Sequence, residues 1–298
     1  MVSEKKILSE INQLKEQIKK EKIPSRKRNE NLIIATWNIR NFGKTKTTRA
    51  VKYIAEICQK FDIIAIQEVK DSLEGLKKLQ LLLGPDYRFI FTDPAGNNER
   101  LVYMYDRRRV DFTGLAGEIV LEPGDKKNPK VQFHRTPYMA SFRTANFDFT
   151  LVTVHIFYGK SKTIQFREDE IRDMAKFIES RAGDQDVYDP DIIALGDFNI
   201  VKTGDRFFKA LESGGLIVEN AIKKLKSNYL KNKHYDQIAY YNYPDSAISF
   251  SKAGVVDFTK VVFKEMTARK LSYALSDHLP MWAEFKIKHY EHEQSLNP

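Results

Sequence analysis

Residues 191–199, Asp-Ile-Ile-Ala-Leu-Gly-Asp-Phe-Asn, carry a short apolar run into a polar island. The run is too short for a typical helix and is rich in Ile, so it reads as an interior strand. Strands buried on both faces are near-continuously apolar, and their first polar residues emerge where the chain leaves the sheet. Two further stretches share the pattern: Asn31-Leu-Ile-Ile-Ala-Thr-Trp-Asn38 and Phe61-Asp-Ile-Ile-Ala-Ile-Gln-Glu68. A fourth island, Ser276-Asp277-His278, also follows an apolar stretch. One carboxylate after a strand is usually a turn former or a helix cap. Here Asn38, Glu68, Asp197, Asn199, Asp277 and His278 come from distant parts of the chain and share one local setting. Together they offer hard, oxygen-rich donors suited to magnesium, and strand ends are where a sheet can gather such groups over one divalent cation.

As an ordered set, Trp37-Asn38-Ile39, Gln67-Glu68-Val69, Gly196-Asp197-Phe198-Asn199 and Ser276-Asp277-His278 resemble the endonuclease/exonuclease/phosphatase superfamily of metal-dependent phosphodiesterases. The similarity spans roughly residues 31 to 288. The deoxyribonuclease I branch matches further, in residues 62–72 around Glu68, in Glu99-Arg100 before a strand, and in Phe133-His134-Arg135-Thr136-Pro137. His155 and Tyr235-Asp236-Gln237-Ile238 complete that match. The abasic-site endonuclease branch shares the metal motifs, but its Tyr-Ser-Gly and Trp-Arg-Leu-Asp-Tyr segments are missing, and His155 stands where that branch carries an amide.

The resemblance implies a division of labour. Glu68, helped by Asn38, holds a magnesium ion, for which manganese is a substitute, and Asp277 shares it. His155 and His278 flank the scissile phosphate, Glu99 orienting the first and Asp236 the second, since a carboxylate partner fixes an imidazole's tautomer. One imidazole takes a proton from water and the other protonates the departing sugar oxygen, each contributing roughly 10²–10⁴-fold. Asp197 and Asn199 line the same phosphate; orienting the nucleophile, stabilising the transition state and binding a second cation stay open for them. Arg135, Asn199 and Arg100 are the phosphate-contact candidates, Arg135 ahead of Arg100 because a single strand arginine is usually solvated or salt-bridged. The expected function is a magnesium-dependent phosphodiesterase, a DNA endonuclease. The alternatives are a phosphoinositide or sphingomyelin-type phosphoesterase, for which no exposed aromatic hairpin is evident, and a noncatalytic nucleic-acid-binding module.

Each residue has a blander reading. His155 lies inside Leu151-Val-Thr-Val-His-Ile-Phe157 and, taken alone, is a core histidine; Asp236 alone is a strand-entry residue. The accompanying motifs reverse both. Trp37 is read as core and not as a stacking platform, because large aromatics bury well.

A net charge of +9 and a pI near 9.3 favour approach to nucleic acid or an anionic membrane surface. Basic clusters recur at Lys44-Thr-Lys46 with Arg49, at Lys126-Lys127 with Lys130, and at Lys223-Lys224 with Lys226, Lys231 and Lys233. Lysines on helices and loops also simply confer solubility, so position beside the presumed site is the argument for more. At 298 residues the chain can bury a large core as one domain. No run approaches transmembrane length, and Met1-Val-Ser-Glu-Lys-Lys lacks an apolar signal core. One cysteine, Cys58, excludes internal disulfides. These features predict a cytoplasmic monomer that binds nucleic acid, with no integral membrane association.

Helical spacing runs from Arg49 to Phe61 and from Thr163 to Ala182, where Phe166, Glu170, Ile171, Met174, Phe177 and Ile178 recur in a helical pattern, and both segments are expected as outer-layer helices. Consecutive strands follow at Tyr138–Ala145 and Phe147–His155. The expected fold is α/β, a four-layer α/β/β/α sandwich of two packed mixed sheets with outer helices. Residues 31–288 form the catalytic domain and 289–298 a C-terminal tail. Residues 1–30 add an amphipathic helix, with Ile7, Ile11, Leu14 and Ile18 on one face and Pro24 ending it, followed by the basic linker Arg26-Lys27-Arg28. Three departures from the branch stand out: the loop Pro94-Ala-Gly-Asn-Asn98 is short and lacks a minor-groove tyrosine, no acidic, threonine-rich calcium loop lies between Lys223 and Tyr235, and paired cysteines are absent.

Overall fold

The computed structural model describes residues 2–124, 131–145, 147–182, 191–241 and 246–288. In chain order the strands are β1 (Asn31–Phe42), β2 (Ile63–Lys70), β3 (Tyr87–Phe91), β4 (Glu99–Asp106), β5 (Asp111–Glu118) and β6 (Tyr138–Thr144). They continue as β7 (Phe147–His155), β8 (Ile192–Asp197), β9 (Asp236–Tyr240), β10 (Ile248–Val255) and β11 (Met281–Ile287). The helices are α1 (Glu4–Lys20), α2 (Thr48–Cys58), α3 (Glu74–Leu83), α4 (Ile164–Ala182), α5 (Arg206–Glu212), α6 (Asn220–Lys223) and α7 (Ala268–Ala274). One sheet has the order β10-β11-β1-β2-β4-β3, the other β5-β6-β7-β8-β9. Among the described residues both are mixed, and each holds a single parallel pair, β1 with β2 and β7 with β8, while every other neighbour is antiparallel. The expected sandwich of two packed mixed sheets with outer helices is the observed architecture.

Alternation along β1 shows how the layers form. Leu32 and Ile34 join the core shared with the second sheet, whereas Ile33, Ala35 and Trp37 join the core beneath α1, α2 and α7. Both sets are fully buried, so the strand reads as continuously apolar. The helices start where the sequence offers caps: the Ser3 and Thr47 side chains accept from Lys6 and Ala50 backbone N–H groups. Helix α1 buries Ile11, Leu14 and Ile18 against α2. Its Glu10 carboxylate enters a buried network with Arg49, 2.5 and 2.7 Å from guanidinium Nη2, and with the Tyr53 hydroxyl. Arg49 Nη1 also lies 2.5 Å from Glu265.

Two expectations need correction. Phe166, one of the residues in the helical pattern of α4, is 45% exposed, because the helix buries Ile171, Met174, Ala175 and Ile178 instead. Strand β1 does not end at Asn38 but runs on to Phe42, with an irregular register against β2 between those two residues. The tail 289–298 and the lysines 126, 127 and 130 lie outside the described residues.

Candidate active site

Topology explains why the motifs meet. The parallel pairs end at one edge of the sandwich, and their antiparallel neighbours β4, β9 and β11 begin there. Asp197 on β8 pairs with His155 on β7 and with Asp236 at the start of β9. Glu99 opens β4 beside the end of β2, opposite Lys70. Thr36 of β1 pairs with Met281, so residues 276–278 arrive beside Asn38.

Local backbone then aims the side chains. Glu68 has φ 61° and sits where β2 slips register against both β1 and β4, a bulge that turns its carboxylate towards the cleft. The Glu68 carboxylate accepts from Asn38 Nδ2 at 3.0 Å and from the Asn41 backbone N–H at 2.9 Å. Asn199 is also left-handed, φ 53°, its N–H donating to Asp197 Oδ1 at 2.9 Å and its amide to the Ile156 carbonyl at 2.7 Å. Ser276 Oγ donates to the Asn38 carbonyl at 2.6 Å and accepts from the His278 N–H at 2.9 Å, tying the last motif to the first. Trp37 is core, as its sequence setting suggested, and its indole N–H donates to the His278 carbonyl at 2.9 Å.

Asp197 Oδ2 is the point of convergence. Asn38 Nδ2 lies 3.1 Å from it, His155 Nε2 3.5 Å and His278 Nε2 3.6 Å. Behind each imidazole stands a buried carboxylate: Glu99 Oε2 is 3.1 Å from His155 Nδ1, and Asp236 Oδ2 is 2.8 Å from His278 Nδ1. Burial would raise the Glu99 carboxyl, but His155, Arg135 and Lys70 outweigh it and hold the group at about 2. Burial, with repulsion from Asp197, raises Asp236 despite His278. His278 is raised in turn: burial lowers it, yet the carboxylates of Asp236, Asp197 and Asp277 win.

Donors for a hard cation stand at Asn38 and Glu68. Among the described residues Asn38 Oδ1 is buried without a hydrogen-bond partner while its amide nitrogen touches Glu68, so an oxygen donor and a carboxylate stand side by side with one donor unspent. Ligand atoms of Asp197, Asp236 and His278 lie within 4.8 Å of one another. Asp277 sits at the rim, its carboxylate 3.0 Å from Arg40 Nη1.

The arginine candidates separate. Arg135 is buried, with Nε 2.9 Å from Glu99 Oε2 and Nη1 donating to the His155 carbonyl at 3.2 Å, so it braces the first carboxylate–imidazole pair. Arg100 pairs with Asp71 at 2.6 Å and with the Thr92 carbonyl, away from this cluster. The cluster of Lys44, Lys46 and Arg49 is corrected: Arg49 belongs to the Glu10 network, and Lys46 is 2% exposed, donating to the Tyr273 and Leu275 carbonyls at 3.0 and 2.6 Å. Burial lowers the Lys46 ammonium to about 8, against partial support from Glu68 and Asp277. Lys223 and Lys231 are likewise paired, with Glu212 and Asp257. Sequence reading passed over Arg40, although its place two residues after Asn38 was a usable signal.

The sequence matches the Endonuclease/Exonuclease/phosphatase family over residues 35–259, more than half of the chain. It is 30% identical over 181 residues to Deoxyribonuclease-1 of Oryctolagus cuniculus and to Deoxyribonuclease-1 of Homo sapiens, covering 56% of this chain and 60% of each relative. The chain thus spans about 60% of the length of the curated relatives it matches. Among solved structures, a humanized D. rerio TDP2 superposes with TM-score 0.63 at 14% identity, over 86% of this chain and 98% of that one. A Bacteroides thetaiotaomicron mannosyl-6-phosphatase gives TM-score 0.62 at 20% identity, over 85% and 99%. These two likenesses speak for the fold alone. Family match, relatives and sandwich agree: the chain belongs to the endonuclease/exonuclease/phosphatase superfamily, on its deoxyribonuclease I-like branch.

Proposed function

We propose that the protein is a magnesium-dependent phosphodiesterase that cuts DNA endonucleolytically, with manganese able to replace magnesium. The observation that carries this reading is the pair of imidazoles whose Nε2 atoms both approach Asp197 Oδ2, at 3.5 and 3.6 Å, each with a buried carboxylate behind its Nδ1. Two such pairs suit a reaction needing one proton removed and one delivered at a single phosphate. Glu68 and Asn38, with Asp277 at the rim, would hold the cation, which supplies Lewis-acid polarisation of a phosphoryl oxygen. Against that background, Nε2 of one histidine accepts the proton of the attacking water and Nε2 of the other donates to the departing sugar oxygen. Glu99 and Asp236 keep each Nδ1 protonated and each ring oriented. Asp197 and Asn199 position the phosphate and the nucleophile. Arg135 acts through Glu99 and not as a direct phosphate contact. The basic chain and the Deoxyribonuclease-1 relatives favour DNA as the polyanion.

The test is incubation of purified protein with supercoiled plasmid and magnesium, beside an EDTA control and an Asp197→Ala variant. Nicking abolished in both controls is the expected result. Intact plasmid with a folded, metal-loaded sample would overturn the DNA assignment, and release of phosphorylated headgroups from vesicles would transfer the same site to lipid substrates.

A further inference from the structure

Two tyrosines edge the cleft, and neither has a part in the proposed chemistry. Tyr158 is 49% exposed and Tyr273 is 54% exposed, although both are large rings within a few residues of site side chains. They hang from different halves of the molecule: Tyr158 follows the end of β7, three residues after His155, and Tyr273 lies in α7, which leads to Asp277 and β11.

Their settings are built alike. The guanidinium carbon of Arg40 lies 3.7 Å from the centre of the Tyr273 ring, and that of Arg167 lies 4.1 Å from the centre of the Tyr158 ring. Each arginine is tethered to the site. Arg40 Nη1 reaches Asp277 Oδ2 at 3.0 Å, and Arg167 Nη1 donates to the Asn199 carbonyl at 2.9 Å. In each tyrosine the backbone carbonyl does the structural work, accepting from Lys46 in Tyr273 and from Arg167 in Tyr158. Tyr158 and Tyr273 are each about half exposed. Tyr158 also stands edge-on to Tyr235, ring centres 6.1 Å apart, and Tyr235 packs 5.5 Å from His278. Rings therefore run from the His278 imidazole through Tyr235 to Tyr158 on one side, while on the other the Arg40 guanidinium links Asp277 to the Tyr273 ring.

An arginine behind an aromatic ring fixes its orientation by cation–π attraction and leaves the remaining surface for another flat partner. Exposed aromatic faces are how proteins engage unpaired bases, because every base has a π-face. Bases inside a duplex are already stacked on one another and cannot lie on such a ring without being unstacked. Resting on the nuclease reading above, we infer that Tyr158 and Tyr273 are base-stacking platforms for the nucleotides on the two sides of the scissile phosphate, and that the favoured substrate is single-stranded or locally unpaired DNA.

The test uses fluorescently labelled single-stranded oligonucleotides with magnesium, the matching duplex, and versions lacking one base on either side of the cut position. Tyr158→Ala and Tyr273→Ala should each raise KM for the single strand by roughly 5- to 150-fold, the range of one base–aromatic stack, with kcat little changed. Tyr→Trp at either position should restore KM, and the single strand should be cut with higher kcat/KM than the duplex. On a substrate missing the base that one tyrosine holds, the corresponding Ala variant and the parent should show the same KM. Unchanged KM in both Ala variants, or a loss that persists in full on the base-free substrates, would overturn the platforms while leaving the nuclease reading intact. Failure of the parent to cut either DNA form would instead remove the nuclease reading, and the platforms with it.

Discussion

Replacing Gly196 by alanine should be among the most damaging single-methyl changes in this chain. Gly196 lies in β8 immediately before Asp197 and pairs with Val154 of β7. Its φ of 149° is a conformation that residues with a side chain rarely adopt. A Cβ there would stand 2.3 Å from the Val154 carbonyl oxygen and 2.8 Å from its nitrogen, well inside the 3.0 Å below which real Cβ atoms essentially never approach. Both obstacles are backbone, so no rotamer change relieves them; β7 and β8 must separate or β8 must twist. Overpacking of this kind costs about 1–3 kcal/mol and the strained φ about 1–3 more, so Gly196→Ala should lose about 2–6 kcal/mol. Against a total stability of about 5–15 kcal/mol, that is a large fraction. Urea titration followed by circular dichroism should show a lowered midpoint with an unchanged slope. Displacement of β8 also carries Asp197 away from Asn38, His155 and His278, so plasmid nicking should fall with stability. A variant within about 0.5 kcal/mol of the parent, nicking at the parental rate, would refute the claim that this close strand approach positions the site.

Three more outcomes are expected. His278→Ala should bind DNA as the parent does and cut it at least about 100-fold more slowly; equal cutting would remove His278 from the acid–base pair. Glu99, held at about 2 in the folded chain against an ordinary 4.5, contributes stability present above pH 4.5 and lost as pH falls towards 2, on the order of 3 kcal/mol. Acid denaturation of Glu99→Gln should therefore lack part of that pH dependence, and a curve parallel to the parent's would contradict the assignment. Glu10→Ala leaves Arg49 buried with Glu265 as its carboxylate partner among the described residues and should cost about 3–5 kcal/mol, read from the same urea titration; a cost near zero would show that α1 is not energetically part of the domain.

How much of this was legible before the chain folded can be followed residue by residue. The strands ending near Asn38, Glu68 and Asp197 announced themselves because a strand buried on both faces needs an uninterrupted apolar run, and a run's length and composition are local properties. The polar residues just beyond those runs were conspicuous for the same reason. The helices over residues 48–58 and 164–182 follow from spacing, although spacing does not show that Phe166, one position off the buried stripe, is exposed. Residue types and their place at run ends alone give Asn38, Glu68, Asp197, Asn199, Asp277 and His278 as one candidate set, whereas His155 joins it only through the family resemblance.

What only the tertiary structure decided is partnership. That β1 passes Asn38 and slips register, so that a left-handed Glu68 faces the cleft, depends on hydrogen bonds to two neighbouring strands at once. The lysine and arginine of the 44–49 segment looked like a substrate-attracting patch; Lys46 and Arg49 are instead spent on buried carbonyls and on Glu10, because α1 and the 273–275 segment fold over them. Arg40, beside Asp277 and behind the Tyr273 ring, joins residues more than two hundred positions apart. Sequence spacing encodes periodicity within one element, but which elements become neighbours is fixed by the joint packing of both sheets, and no short stretch of the chain carries that information.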